Sequence, residues 1–349
     1  MGKVATIDLF CGAGGLTHGF KLEDMNVVAG FDIDASCKYA YEENNDATFF
    51  AEDVSGLTKS TLEALYGDSD TKVLIGCAPC QPFSTYNAKK GDKGKWNLLT
   101  KFGELIKELQ PDIISMENVP NLVNFKKYPV YEQFLEVLRE NGYYIDANVV
   151  FCPDYGIPQN RKRLVLLASK LGQIRLMAKT HKPDEYKTVE QTIGHLAPIG
   201  AGGFDPKDPL HRSRRLSKKN EERILHTDEG CGWENWPEHL KLECHKRESG
   251  KTYKNVYGRM NRKEPAPTLT TYCTNIGNGM FGHYEQNRAI SAREAALLQT
   301  FPEKYKFIDP SKPFSMEAIA RQIGNAVPVQ LGRVIALSIK EHLSSNGHL

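Results

Sequence analysis

Ala5-Thr6-Ile7-Asp8-Leu9-Phe10-Cys11-Gly12-Ala13-Gly14-Gly15-Leu16 is a strand-length apolar run that enters a glycine-rich turn and leaves it with helical periodicity. Glycines at such a turn let the chain reverse sharply and bring its backbone close to a bound molecule. Gly12, Gly14 and Gly15 are not spaced as G-x-G-x-x-G, and there is no G-x-x-x-x-G-K, so cradled phosphates are not indicated. Outward from this unit, apolar runs at 5–10, 27–33, 73–76, 112–117, 144–151 and 164–168 read as strands. Helical patterns near 16–23, 35–44, 58–66, 97–109 and 130–141 fall between them. The alternation predicts βαβ units, hence an α/β class with a mainly parallel, doubly wound sheet. The rhythm stops after Ser169. Residues 198–210 are rich in Pro and Gly, and the basic, aromatic-bearing stretch through Tyr257 keeps no steady period, which marks a second, irregular lobe. Helical patterning returns at 289–299 and 328–342, so the C-terminal segment is expected to pack back on the first lobe.

With 349 residues, 40% of them hydrophobic, the chain can bury a sizeable core. Its net charge of +2 announces no polyanion partner, so any nucleic-acid surface must come from local clusters. Two exist: Arg212, Arg214, Arg215, Lys218 and Lys219 without an intervening acid, and Lys89, Lys90, Lys93 and Lys95 against Asp92 alone. The N-terminus enters a strand without a signal-peptide core, and no apolar run approaches the ~20 residues of a membrane span. Eight unpatterned cysteines point to a reducing cytosol rather than a disulfide framework.

One cysteine stands out by position. Pro79-Cys80-Gln81 follows the apolar run Val73-Leu74-Ile75-Gly76, and open α/β sheets place their ligands beyond the carboxyl ends of strands. Cys80 therefore reads as a presented nucleophile. Cys77-Ala78-Pro79-Cys80 is also a C-x-x-C, but no second such pair completes a zinc site, and no metal is expected. A redox dithiol stays open as an alternative, although it calls for a helix opening at the motif and Pro82 with a Lys/Gly-rich loop follows instead. Asp32 at the end of the second strand is placed to hold ribose hydroxyls, or else to cap a helix. Asp53, after a short third strand, is placed to meet an adenine edge. Together these suit a nucleoside without pyrophosphate, such as S-adenosylmethionine.

Five segments in order resemble the cytosine carbon-5 DNA methyltransferase family. They are Asp8 to Gly15, Gly76 to Ser84, Glu117-Asn118-Val119, Gln159-Asn160-Arg161-Lys162-Arg163, and Arg321-Gln322-Ile323-Gly324-Asn325-Ala326-Val327-Pro328. The resemblance implies a Rossmann-like, S-adenosylmethionine-dependent fold divided into a catalytic and cofactor-binding domain at 1–177, a target-recognition domain at 178–275, and a returning segment at 276–349. It implies that Cys80 attacks carbon-6 of a flipped-out cytosine while Glu117 supports ring N3, with Asn118 fixing the loop, Arg163 reaching the base and its phosphate, and Arg161 and Gln159 in support. It places Phe10, Gly12, Gly14, Gly15, Leu16, Asp32, Ile33, Asp53, Val54, Pro79 and Asn325 around the cofactor. Gln81, Ser84, Arg212, Arg214, Arg215, Thr268 and Thr270 are expected on DNA, with Trp233, Trp236, Lys246 and Arg247 as further base-edge candidates.

Cys77, three residues before the nucleophile, is expected to be packing only. The implied protein is a cytoplasmic, nucleoid-associated bacterial or phage monomer. It acts on duplex DNA, away from membranes, and has at most a restriction endonuclease partner that does not bind it stably. Transfer RNA, the substrate of one branch of the family, is the alternative.

Overall fold

A central parallel strand is covered on both faces and so reads as a nearly continuous apolar run. Val4–Leu9 (β1) fits: Ala5, Ile7 and Leu9 are buried, and so are Thr6 and Asp8 between them. The computed structural model describes residues 2–79, 97–124, 129–248, 250 and 252–349. From β1 the chain runs through α1 (Gly15–Leu22), β2 (Val27–Phe31), α2 (Lys38–Asn45), β3 (Thr48–Phe50), α3 (Lys59–Tyr66) and β4 (Thr71–Gly76). It continues as α4 (Asn97–Leu109), β5 (Ile113–Asn118), α5 (Val130–Glu140), β6 (Tyr144–Phe151), the two-residue β7 (Gln159–Asn160) and β8 (Lys162–Ser169).

Seven of these strands form one sheet in the order β3-β2-β1-β4-β5-β8-β6. Pairs from β3 to β5 are parallel, whereas β8 runs antiparallel to both β5 and β6. The order reverses between β1 and β4, the switch point at which such sheets open a crevice. The mainly parallel, doubly wound sheet read from the sequence is present; its antiparallel tail was not legible there. Helix α4 shows how the layers are sealed. Leu99, Phe102, Leu105, Ile106 and Leu109 recur at helical spacing and are all buried, each contributing about 1.5–3 kcal/mol.

The chain divides into two compact units: Met1–Phe151 with Lys162–Thr180 and Val327–Leu349, and Cys152–Arg161 with His181–Ala326. In the first, α11 (Val329–Ser345) lies against α1 at glycine-to-glycine distance. A Cβ on Gly19 would stand 2.5 Å from the Arg333 backbone nitrogen, and one on Gly332 would stand 2.9 Å from the Leu16 carbonyl oxygen. Arg333 also reaches Glu23 Oε1 at 2.6 Å.

The second unit holds α6 (Val189–Ile193), the hairpin of β9 (Phe204–Asp205) and β10 (Asp208–Arg212), α7 (Lys218–Leu225), α8 (Glu243–Lys246), β11 (Ala266–Pro267), α9 (Ala292–Leu298) and α10 (Met316–Asn325). Residues 276–326, expected with the returning segment, cluster here. Local chemistry accounts for it. Ser291 and Glu294 form a capping box that starts α9. Arg293 Nε pairs with Asp208 Oδ2 at 2.6 Å, and His211 Nδ1 lies 2.8 Å from Ser291 Oγ, so α9 is tied to β10. Arg288, fully buried, makes two 2.7 Å contacts with the carboxylate of Glu294.

Asp8 gives the first unit a pH dependence. Burial pushes its carboxyl up to about 7 from 3.8, with a 2.6 Å hydrogen bond from Thr17 Oγ1 opposing the shift. A raised folded-state value means that this group's stabilisation is full below about 4 and is lost as pH rises through about 7. The change is on the order of 4 kcal/mol. We expect Asp8→Asn to flatten the fall of unfolding free energy across that window in denaturation curves taken from pH 4 to 8; an unchanged slope would contradict the assignment.

Candidate active site

The carboxyl ends of β1, β2, β4 and β5 carry the chemistry of the first unit. Past β1, Phe10 adopts φ of 61°, Gly12 51° and Gly14 87°. A bulky residue in the left-handed region marks a turn whose shape matters. Gly12 faces open space among the described residues, since an added Cβ would meet none of them within 4 Å, and its N–H donates to Asp32 Oδ2 at 2.9 Å. Asp32 Oδ1 accepts from the Asp34 N–H at 2.8 Å. Asp32 thus fastens the end of β2 to the glycine turn, and the 3₁₀ cap is made by Asp34, which accepts from Ser36 N. Burial, offset by those two amides, raises the Asp32 carboxyl above its usual range.

Beside Asp32, Ile33 is 73% exposed. Gly15 and Leu16 are buried at the start of α1. Asp53 is exposed and caps Ser55 N, with Val54 buried next to it. An exposed apolar side chain, an open glycine backbone and a half-buried carboxylate at one switch point fit a nucleoside.

Strands β4 and β5 are paired in parallel with Gly76 opposite Met116, so Cys77, just past the end of β4, comes beside Glu117, which β5 still holds paired to β8. Glu117 is 2% exposed. Its Oε2 accepts from Cys77 Sγ at 2.7 Å, and its Oε1 lies 2.8 Å from Nε of Arg163 on β8. That arginine contact is an ion pair without hydrogen-bond alignment, so Oε1 has no directed donor among the described residues. Asn118 Nδ2 donates to the Ala78 carbonyl at 3.0 Å, and its Oδ1 accepts from Val119 N, which ties the end of β5 to the segment leading to the half-buried Pro79. Cys80, Gln81 and Ser84 lie outside the described residues, as do Lys89, Lys90, Lys93 and Lys95.

In the second unit, Gln159 and Arg161 are buried in a polar network. Gln159 Oε1 accepts from Leu269 N at 3.0 Å and from Arg161 Nη1 at 3.3 Å, while Arg161 also donates to the Leu269 carbonyl at 3.1 Å. Gln159 Nε2 donates to Gln299 Oε1 at 2.9 Å, and Gln299 in turn donates to the carbonyls of Ile323 and Ala326. Thr268 Oγ1 donates to the Asn160 carbonyl at 2.6 Å, and β7 pairs with β11. Thr270 is exposed, and a Cβ on Gly324 would stand 2.2 Å from its carbonyl oxygen. Asn325 is exposed at the end of α10.

Three sequence segments far apart in the chain therefore share one hydrogen-bonded frame, and Gln299, which the sequence reading passed over, is its hinge pin. A glutamine at the end of an amphipathic helix carries no signal in periodicity.

The base-reading candidates separate into two kinds. Trp233 and Trp236 are buried, with their indole N–H groups spent on Tyr253 O and Thr227 Oγ1, and they pack with Leu240 and His245. They form a small core and do not present to a ligand, which corrects the expectation from the sequence. Arg215 is exposed. Arg214 Nε donates to Thr274 Oγ1. Arg212 is held between the rings of Phe204 and Phe314, each 4.6 Å from its guanidinium carbon, with its Nε making no hydrogen bond. Lys246 is paired with Glu243 and Glu238. No group of three or more potential metal ligands occurs among the described residues, and no described helix is long and apolar enough to cross a membrane.

The profile of a family described as C-5 cytosine-specific DNA methylase matches residues 4–341. Type II methylase M.HgiDII of Herpetosiphon aurantiacus is 53% identical over 339 residues, covering 97% of this chain and 96% of that protein. Type II methyltransferase M1.HphI of Haemophilus parahaemolyticus is 29% identical over 341 residues, covering 95% and 86%. A solved structure of a prophage-encoded DNA modification methyltransferase from E. coli aligns with a TM-score of 0.75 at 22% identity, across 98% of this chain and 100% of that one. At that identity the likeness bears on the fold alone.

Proposed function

The chain belongs to the C-5 cytosine-specific DNA methylase family and is a DNA cytosine-5 methyltransferase, and from that premise we propose how its own residues carry the reaction. Carbon-5 of cytosine is too electron-poor to attack a methyl donor unaided. In our reading, Cys80 as thiolate adds to carbon-6 and Glu117, protonated, donates to ring N3, so that the ring becomes an enamine nucleophilic at carbon-5. S-adenosylmethionine supplies the electrophilic methyl group. Loss of the carbon-5 proton and expulsion of Cys80 then free the product.

The observation that carries this reading is Glu117 itself. It is buried at the mouth of β5, one strand from the segment that leads to Cys80, with a cation at one oxygen and, among the described residues, no directed donor there. A buried polar atom of that kind is satisfied by a ligand or costs free energy. Arg163 would anchor the base and its phosphate, the planar guanidinium being suited to such targets.

The open turn at Gly12, with Asp32 and Ile33, suits the adenosine of the cofactor; Phe10, Gly14, Gly15, Leu16, Asp53, Val54, Pro79 and Asn325 belong to the same proposal. The target cytosine must leave the duplex, at a cost of a few kcal/mol. Arg212, Arg214, Arg215, Thr268 and Thr270, together with Gln81 and Ser84, are proposed to meet that DNA; Lys246 and Arg247 remain proposed base-edge contacts. The 53% identity to a Type II methylase supports a role in bacterial restriction-modification, in the cytoplasm.

Bisulfite sequencing of DNA from cells expressing the protein would locate the modified cytosine. An oligonucleotide duplex carrying 5-fluorocytosine at that position, incubated with S-adenosylmethionine, is then expected to become covalently attached to the peptide containing Cys80. Attachment to another residue, or methyl transfer to transfer RNA but not to any duplex, would overturn the proposal.

A further inference from the structure

We propose that Cys77 is a positioning residue, which orients the Glu117 carboxyl through its thiol. The inference rests on the reading of Glu117 given above. A side chain that only fills space at this point needs no donor, and the sequence offers no reason for one. In the structure the thiol points at the carboxylate: Cys77 Sγ donates to Glu117 Oε2 at 2.7 Å. The backbone around it is held on both sides. The Cys77 N–H donates to the Leu9 carbonyl at 3.2 Å, and Asn118 Nδ2 grips the Ala78 carbonyl at 3.0 Å.

The two oxygens of Glu117 are consequently unequal. Oε2 is engaged as an acceptor from Cys77, while Oε1, beside Arg163, is the oxygen without a directed donor among the described residues. A carboxyl held in this way keeps its Oε1 edge as the one turned to the substrate, and its proton, when present, on that edge. Without the thiol, the carboxyl is free to rotate and Oε2 is left buried without its donor.

Hydrogen bonds to charged groups and small misplacements of reacting groups each change rates by about ten- to a hundredfold. Three variants separate packing from positioning. Cys77→Ala and Cys77→Val both remove the donor, and the second keeps the bulk. Each is expected to lower kcat by about ten- to a hundredfold, with KM for S-adenosylmethionine and for duplex DNA changed by less than about threefold. Cys77→Ser restores a donor and is expected to recover most of kcat.

A folded Cys77→Val enzyme with wild-type kcat, or a serine variant as slow as the valine one, would overturn the inference. If Glu117→Ala retains wild-type kcat, the reading of Glu117 itself fails. If Glu117→Ala is inactive while Cys77→Val is not, only the role of Cys77 fails.

Discussion

Glu117→Gln is expected to lower kcat for methyl transfer by about 10²–10⁴-fold, the range over which a positioned acid or base acts. The amide keeps the shape of the carboxyl, and its carbonyl still accepts a hydrogen bond, from the Cys77 thiol if the side chain keeps that orientation. Its N–H groups can hydrogen-bond ring N3 but cannot transfer a proton to neutralise the ring. Arg163 loses its counter-charge in a place where its own side chain is only 13% exposed, so a modest loss of stability should accompany the kinetic one. Initial rates with labelled S-adenosylmethionine on a duplex containing the recognised site would measure it. A glutamine variant within about threefold of wild type would remove Glu117 from the chemistry.

The second large effect concerns stability. Glu294→Leu leaves the guanidinium of Arg288 buried without its partner, and breaking such a pair costs about 3–5 kcal/mol. Burial alone would raise the Glu294 carboxyl, yet the hydrogen bonds and charge of Arg288, with His283 behind it, hold it below its usual range. The pair's contribution is therefore present above about pH 4.5 and is lost as pH falls through the depressed folded value. Replacing both partners, as in Arg288→Met with Glu294→Leu, should recover much of the loss, since an apolar pair leaves no buried charge. Two of the chain's three tryptophans, Trp233 and Trp236, lie in the same unit, so fluorescence-detected urea unfolding reads this change directly. A shift below about 1 kcal/mol in the single variant would contradict the argument.

What was legible in the sequence follows from periodicity. Apart from the three-residue β3, the strands from β1 to β5 and the helices between them are long or strongly patterned, and the expected spans differ from the observed ones by only a few residues. The antiparallel placement of β8 could not be read, because an apolar run of strand length carries no direction. Helix α10 overlaps the segment Arg321 to Pro328, where the motif residues mask the helical period. Trp233 and Trp236 were misread for a different reason: aromatics in a basic, aperiodic stretch look like contact residues, and only the fold reveals that they make a core of their own. Cys77 shows the opposite error. Chain position alone makes it look like filler, and its contact with Glu117 exists only because β4 and β5 pair in a register that sets Gly76 opposite Met116.

The contact between α1 and α11 bears on how the protein is made. Helix α1 is synthesised before the second unit and α11 after it, yet Gly19 and Gly332 meet at backbone distance. During translation the N-terminal sheet must wait with one helical flank uncovered. A contact so distant in sequence forms late, which slows folding and prolongs the exposure of apolar surface to aggregation.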